Sequence, residues 1–176
     1  MSIMAMALGA VALASASGAA PHAYSAADLS VARASAASRG IDNDPAVTGD
    51  TRRRLGDCLK TLGDGAACVS ISADSCPPNV QAYVCANSEY VVWTDYIASY
   101  LTILRKTLDV SVAPSLNRSQ AAWSSYASAQ CAYIGRLWLR TDPGMRSASV
   151  ANCKRDVAGR RALALRANIL DLARDN

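Results

Sequence analysis

The sequence predicts an all-α protein: an antiparallel bundle of three longer helices, preceded by one or two short N-terminal helices and stapled by disulfides. Three observations carry this expectation. Ala and Leu dominate and β-branched runs are scarce, a composition that favours helix. Three long segments in the C-terminal half repeat their apolar residues at the i, i+3, i+4 spacing of a helix with one buried stripe. Six cysteines occur in a chain of 176 residues whose first segment reads as an export signal, the setting in which disulfides form and persist.

Residues 1–26 read as a signal peptide. Ile3 to Ala14 form an apolar stretch too short to span a bilayer comfortably, and Ala14-Ser15-Ala16 fits a small-x-small cleavage pattern, although no Lys or Arg precedes the apolar core. Residues 27–50 are rich in Ala, Ser, Gly and Asp without a sustained apolar period and read as a flexible leader. The helical domain is expected over 51–176, soluble and without stable membrane insertion, because no second long apolar run follows.

Within it, Leu55, Leu59 and Leu62 recur at helical spacing and Gly63 with Gly65 ends a short helix begun near Asp50. Ala66 to Pro78 reads as a cysteine-bearing loop, followed by a short helix from Asn79 to Ala86. Ser88 is a candidate cap for the first long helix, whose stripe is Trp93, Ile97, Tyr100, Leu101, Leu104 and Leu108. Pro114 breaks it and Ser115 offers the next cap. Leu116, Trp123, Ala127, Ile134 and Trp138 then share a face, with Cys131 beside it. Asp142-Pro143-Gly144 is a turn signal. The last helix is expected from Ser147 to Ala173, with Val150, Cys153, Val157, Leu165, Ile169 and Leu172 inward. Short loops between the three long helices make antiparallel packing the natural arrangement.

The chemistry of the side chains excludes more than it offers. The only histidine, His22, falls in the predicted signal peptide, so a nucleophilic triad has no base. Glu89 is the only glutamate, which leaves paired carboxylates for glycoside hydrolysis poorly supplied. Glycine-rich phosphate loops are absent. Successive cysteines are separated by nine, seven, eight, forty-five and twenty-one residues, none of them the spacing of a zinc knuckle. An even count in a short exported chain instead suggests disulfides among Cys58, Cys68, Cys76, Cys85, Cys131 and Cys153, with many pairings open. The sequence therefore predicts no enzyme, no metal and no cofactor. The formal charge of +4 is mild. Arg52-Arg53-Arg54 and the basic last helix, with Lys154, Arg155, Arg160, Arg161, Arg166 and Arg174, read as solvated faces rather than a nucleic-acid surface.

From about residue 76 to 170 the chain resembles the LprI-type family of lysozyme-inhibitor-like domains. The residues that carry the resemblance are Cys76, Val84-Cys85-Ala86, Glu89, Gln120-Ala121-Ala122-Trp123 with Cys131, and then Cys153, Arg161 and Leu165. The chain has Ala127-Ser128 where the family often has Arg-Asp, and Asn87-Ser88 where it commonly has Asp-Pro. The resemblance implies an exported helical domain that binds a protein, with lysozyme inhibition known for a few relatives. The predicted function is accordingly a periplasmic or secreted binding protein that inhibits lysozyme, the alternative being an envelope adaptor or immunity-type protein with another protein partner.

The expected pairing joins Cys131 to Cys153 across the last two helices and Cys76 to Cys85 at the start of the bundle, leaving Cys58 with Cys68 as a local staple. Each closure stabilises by about 2–4 kcal/mol in the chain-entropy model. Trp123 is expected to be buried against the first long helix. Cys153, Val157, Arg161 and Leu165 are spaced four apart, which puts Arg161 on or beside the apolar stripe. Its expected role is structural, with the guanidinium bonded to a carboxylate or to helix-end carbonyls; the rival reading makes it the tip of a binding surface.

Overall fold

The computed structural model describes residues 41–61, 65–140 and 142–175. The predicted signal peptide with His22, the leader up to residue 40, and Leu62 to Asp64 lie outside the described residues. Four helices make up the fold, α1 (Pro45–Thr61), α2 (Ala82–Thr107), α3 (Ala113–Leu137) and α4 (Pro143–Arg174), with a single 3-10 turn at Ala66–Cys68. Among the described residues there is no strand.

The dipeptide Asp-Pro begins two of these helices. Asp44 Oδ1 accepts from the backbone N–H groups of Ala46 and Val47 at 2.8 and 3.0 Å, and Asp142 Oδ1 accepts from Gly144 and Met145 at 2.6 and 3.2 Å. The aspartate satisfies orphan donors of the first turn, and proline fits the first helical position, where no donor is needed. α1 thus starts at Pro45 rather than near Asp50, and α4 at Pro143 rather than Ser147. Pro114 likewise lies in the first turn of α3, whose cap position is Val112 and not Ser115.

The short helix expected over Asn79 to Ala86 and the first long helix are one, because α2 passes through Ser88 without a break. Ser88 is buried rather than capping; its hydroxyl accepts from the Asp44 N–H at 3.3 Å. Asn87 Nδ2 donates to the Asp42 carbonyl at 2.8 Å. Ser88, which reads as a helix cap, and its neighbour Asn87 are taken up by contacts with the segment entering α1.

α2 is the centre of the fold. Trp93, Tyr96 and Tyr100 are fully buried along it, with ring centroids 6.0 and 5.6 Å apart in successive pairs. α1 lies along α2 in the same sense: Asp44 meets Ser88, and Arg52 forms a 2.7 Å ion pair with the buried Asp95. α2, α3 and α4 alternate in direction, as expected of an antiparallel bundle. α2 and α4, the pair in most extensive contact, therefore run the same way, and α3 packs mainly on α4.

That order of neighbours explains two departures from the expected core. The buried face of α4 is Ala151, Arg155, Ala158, Gly159, Ala162, Leu165 and Ile169. Val150, Cys153, Val157 and Leu172 are only half-buried. Leu165 and Ile169 are buried as expected, but before them the buried positions are mainly small, because large aromatic rings of α2 already fill that part of the interface. α3, at the edge, buries only Cys131 and Gly135 completely; Leu116, Trp123, Ala127, Ile134 and Trp138 share the inward face but stay half-buried. The basic helix is also less solvated than expected. Arg155 is buried beside Asp156, and Arg166 donates to the Leu59 carbonyl of α1 at 3.0 Å.

Gly159 lies where α4 packs closely on Trp93 of α2. A Cβ there would lie 3.2 Å from Trp93 Cε2 and Nε1 and 3.0 Å from Val69 Cγ2. Gly159→Val is therefore expected to overpack the interface and lower stability by about 1–3 kcal/mol, although valine favours helix more than glycine does. Thermal or denaturant unfolding of the variant checks this, and an unchanged or raised midpoint would contradict it.

Candidate functional site

Cys58 pairs with Cys68, Cys76 with Cys85 and Cys131 with Cys153, with Cα separations of 5.8, 5.8 and 5.6 Å. The first two bonds clamp the ends of the loop between α1 and α2, tying Cys68 back to α1 and Cys76 forward to α2. Between the clamps the loop is seated on Glu89, whose carboxylate is wholly buried. Oε1 accepts from the Ser70 N–H at 2.8 Å and from Trp93 Nε1 at 3.0 Å. Oε2 accepts from the Ser72 N–H at 2.9 Å and from the Ser72 hydroxyl at 2.6 Å. A buried carboxylate is tolerated only when its lone pairs are filled in this way. Ser70 holds a left-handed backbone, φ 77°, so that its N–H can point at Glu89.

A second cluster holds α3 on α4. The Arg161 guanidinium donates through Nε to Gln120 Oε1 at 3.0 Å and through Nη2 to the Ser119 hydroxyl at 3.2 Å. Its carbon centre lies 6.0 Å from the ring centroid of Trp123, within the range of a cation–π contact. The acceptors are neutral side chains, not the expected carboxylate or helix-end carbonyls. Partial burial lowers the Arg161 pKa from its ordinary value, yet an arginine in this setting stays charged. Trp123 is half-buried and faces α4 and its arginine as well as the core; it is not buried against α2 alone. Leu165 is fully buried in the central core.

Beside Trp123 opens a groove of about 570 Å³ between α3 and the α2–α4 pair. Tyr90, Trp123, Ala127 and Cys131 line its wall, and Arg136, Arg146 and Lys154 stand around it. A second cleft of about 580 Å³, near Tyr83 and Asn87, shares Arg146, Val150 and Lys154 with the first. The Tyr83 phenol is raised from its ordinary pKa chiefly by its hydrogen bond to Asp42, and burial raises that of Tyr90. Among the described residues no group of His, Cys, Asp and Glu is placed to hold a metal ion. What the arrangement offers is rigid, cross-linked surface with cationic edges.

A family model described as lysozyme inhibitor LprI matches residues 73–165, more than half of the chain. The chain belongs to this family. No curated protein and no solved structure matches it. The LprI match begins inside the loop, takes in α2, α3 and most of α4, and leaves out α1 and the Cys58–Cys68 bond. Four of the residues that carried the LprI resemblance fall in the two clusters: Glu89 in one, Gln120, Trp123 and Arg161 in the other. Sequence reasoning missed the partners of Glu89, since nothing in Ser70-Ile71-Ser72 announces donors for a carboxylate seventeen or more residues away. It also missed the cationic edge formed by Arg136, Arg146 and Lys154.

The hydrogen bonds from Arg161 to Gln120 and Ser119 make its expected structural role testable. Arg161→Met keeps the packing of the aliphatic stem while removing two hydrogen bonds and the charge over Trp123. Stability is expected to fall by about 1–2 kcal/mol, with partner binding by the folded fraction retained. Denaturant unfolding together with a binding titration checks it; normal unfolding with lost binding would make Arg161 part of the binding surface.

Proposed function

We propose that the chain is an exported, non-catalytic protein that binds and inhibits lysozyme in the periplasm or outside the cell. Membership of the LprI family carries this reading. Three disulfides support the exported location, because such bonds persist where thiols are not kept reduced. No helix among the described residues is long and apolar enough to cross a membrane. The reading calls for a protein partner and for neither a cofactor nor nucleic acid.

An inhibitor gains affinity by presenting a surface already held in its bound shape, so that little ordering entropy is lost on association. The loop seated on Glu89 and the α3–α4 pair closed by Cys131–Cys153 are both held in this way. Charge sets a condition on the partner. The chain carries +4 and lysozymes are commonly basic, so long-range attraction is unfavourable. Inhibition must then rest on short-range fit to the catalytic cleft, where glycoside hydrolysis requires a pair of carboxyl groups.

Purified protein is expected to slow the lysis of cell walls by at least one of several lysozymes in a turbidity assay, in proportion to its concentration. Unchanged lysis by every lysozyme at micromolar excess would contradict the reading.

A further inference from the structure

We propose that the corner between α3 and α4, built by residues 136–140 and 142–146, is the element that enters the carboxylate-bearing cleft of the inhibited glycosidase. The inference rests on the proposed inhibitor function and names the surface that performs it.

Large apolar side chains stand in water at this corner: Leu137 and Leu139 are each 56% exposed and Met145 is 51% exposed. Arg136, Arg140 and Arg146 are exposed among them, and none of the three takes part in the ion pairs found among the described residues. The acidic side chain of the turn, Asp142, is occupied in capping α4. Tyr126 and Tyr133, exposed on the same face of α3 as Leu137, extend the apolar strip away from the tip.

The corner is also tied at its base. Cys131–Cys153 ties the last turns of α3 to the second and third turns of α4. Gly135 is buried so close to α4 that a Cβ would lie 3.1 Å from Val150 Cγ2. A projecting helix corner with fixed apolar and guanidinium groups suits a concave partner that contains carboxylates, since arginine pairs with them bidentately. The opposite corner, between α2 and α3, makes the comparison. Val110 and Val112 are exposed there and Asp109 accepts from the Ser111 N–H at 2.7 Å, but Arg105 is bonded to Asn117 at 3.0 Å. Among the described residues, the α3–α4 corner sets three arginines outside the ion pairs among its exposed apolar groups, where the α2–α3 corner has Lys106 alone.

The test compares two double variants of the full chain in the lysis assay. Leu139→Asp with Arg140→Glu alters the proposed tip; Val110→Asp with Lys106→Glu makes the same kinds of change at the opposite corner. All four residues are exposed, so both variants should melt as the unaltered chain does. The tip variant is expected to need at least about tenfold more protein for half-inhibition, and the control variant no more than the parent. Binding to lysozyme should also be lost when a chito-oligosaccharide fills the cleft, a readout that needs no variant. Full inhibition by the tip variant, equal losses in both variants, or binding undisturbed by the oligosaccharide would each overturn the assignment while leaving the inhibitor reading in place. Absence of inhibition by the parent chain would instead overturn that reading, and this assignment with it.

Discussion

The carboxylate of Glu89 is buried and receives four hydrogen bonds, two on each oxygen, and the rest of the architecture is arranged around that fact. Unpaired, a charge at this depth would cost several kcal/mol. Filled, it fixes three things at once. It holds the loop between the first two disulfides onto α2, at the expense of a left-handed Ser70. It orients Trp93 through the indole N–H. The position of Trp93 in turn leaves little room for a side chain at 159, where a Cβ would lie 3.2 Å from the indole.

From α4 the dependence passes outward to α3. Cys153 and Arg161 stand on the side of α4 that faces α3 and hold it by a disulfide and by hydrogen bonds to Gln120 and Ser119. Trp123, between them, packs under the guanidinium. The residues by which the chain resembles its family thus build the frame, layer by layer from Glu89 outward. The exposed apolar and cationic groups at the α3–α4 corner are what that frame holds out to solvent. A protein of this kind divides its sequence between residues that fix a shape and residues that use it.

Much of the frame was legible in the sequence. The long amphipathic stretches marked the helices, because a 3.6-residue apolar period sustained over twenty or more residues fits a helix and does not fit a strand. Their starts were harder to read: Asp142-Pro143-Gly144 carries turn residues and also satisfies every requirement of a capped first turn. Asn87-Ser88 reads locally as a helix start, and only the approach of Asp42 and Asp44, more than forty positions earlier, makes it helix interior. The buried face of α4 was read correctly at Leu165 and Ile169 but misplaced at Val150, Cys153 and Val157, for a different reason. Bulky residues signal a core when the partner surface is open, but α2 presents Trp93, Tyr96 and Tyr100, and the buried positions of α4 before Leu165 are mainly alanine and glycine. Glu89, Trp123 and Arg161 stood out in the sequence, while their bonding partners depend on which elements meet and so could not be read from spacing.

The central claim, that family-matched residues form the frame and the α3–α4 corner forms the contact, is tested most directly by amide hydrogen exchange of the protein alone and in complex with an inhibited lysozyme. The slowest exchange in the free protein should lie in α2 and α4 around Trp93 and Gly159, where helical amides are enclosed by the core. Added lysozyme should slow exchange within residues 136–146 and leave the loop around Ser70 to Ser72 and the α3 turn around Ser119 to Trp123 unchanged. Protection centred on either of those two segments, with the corner unaffected, would contradict the claim.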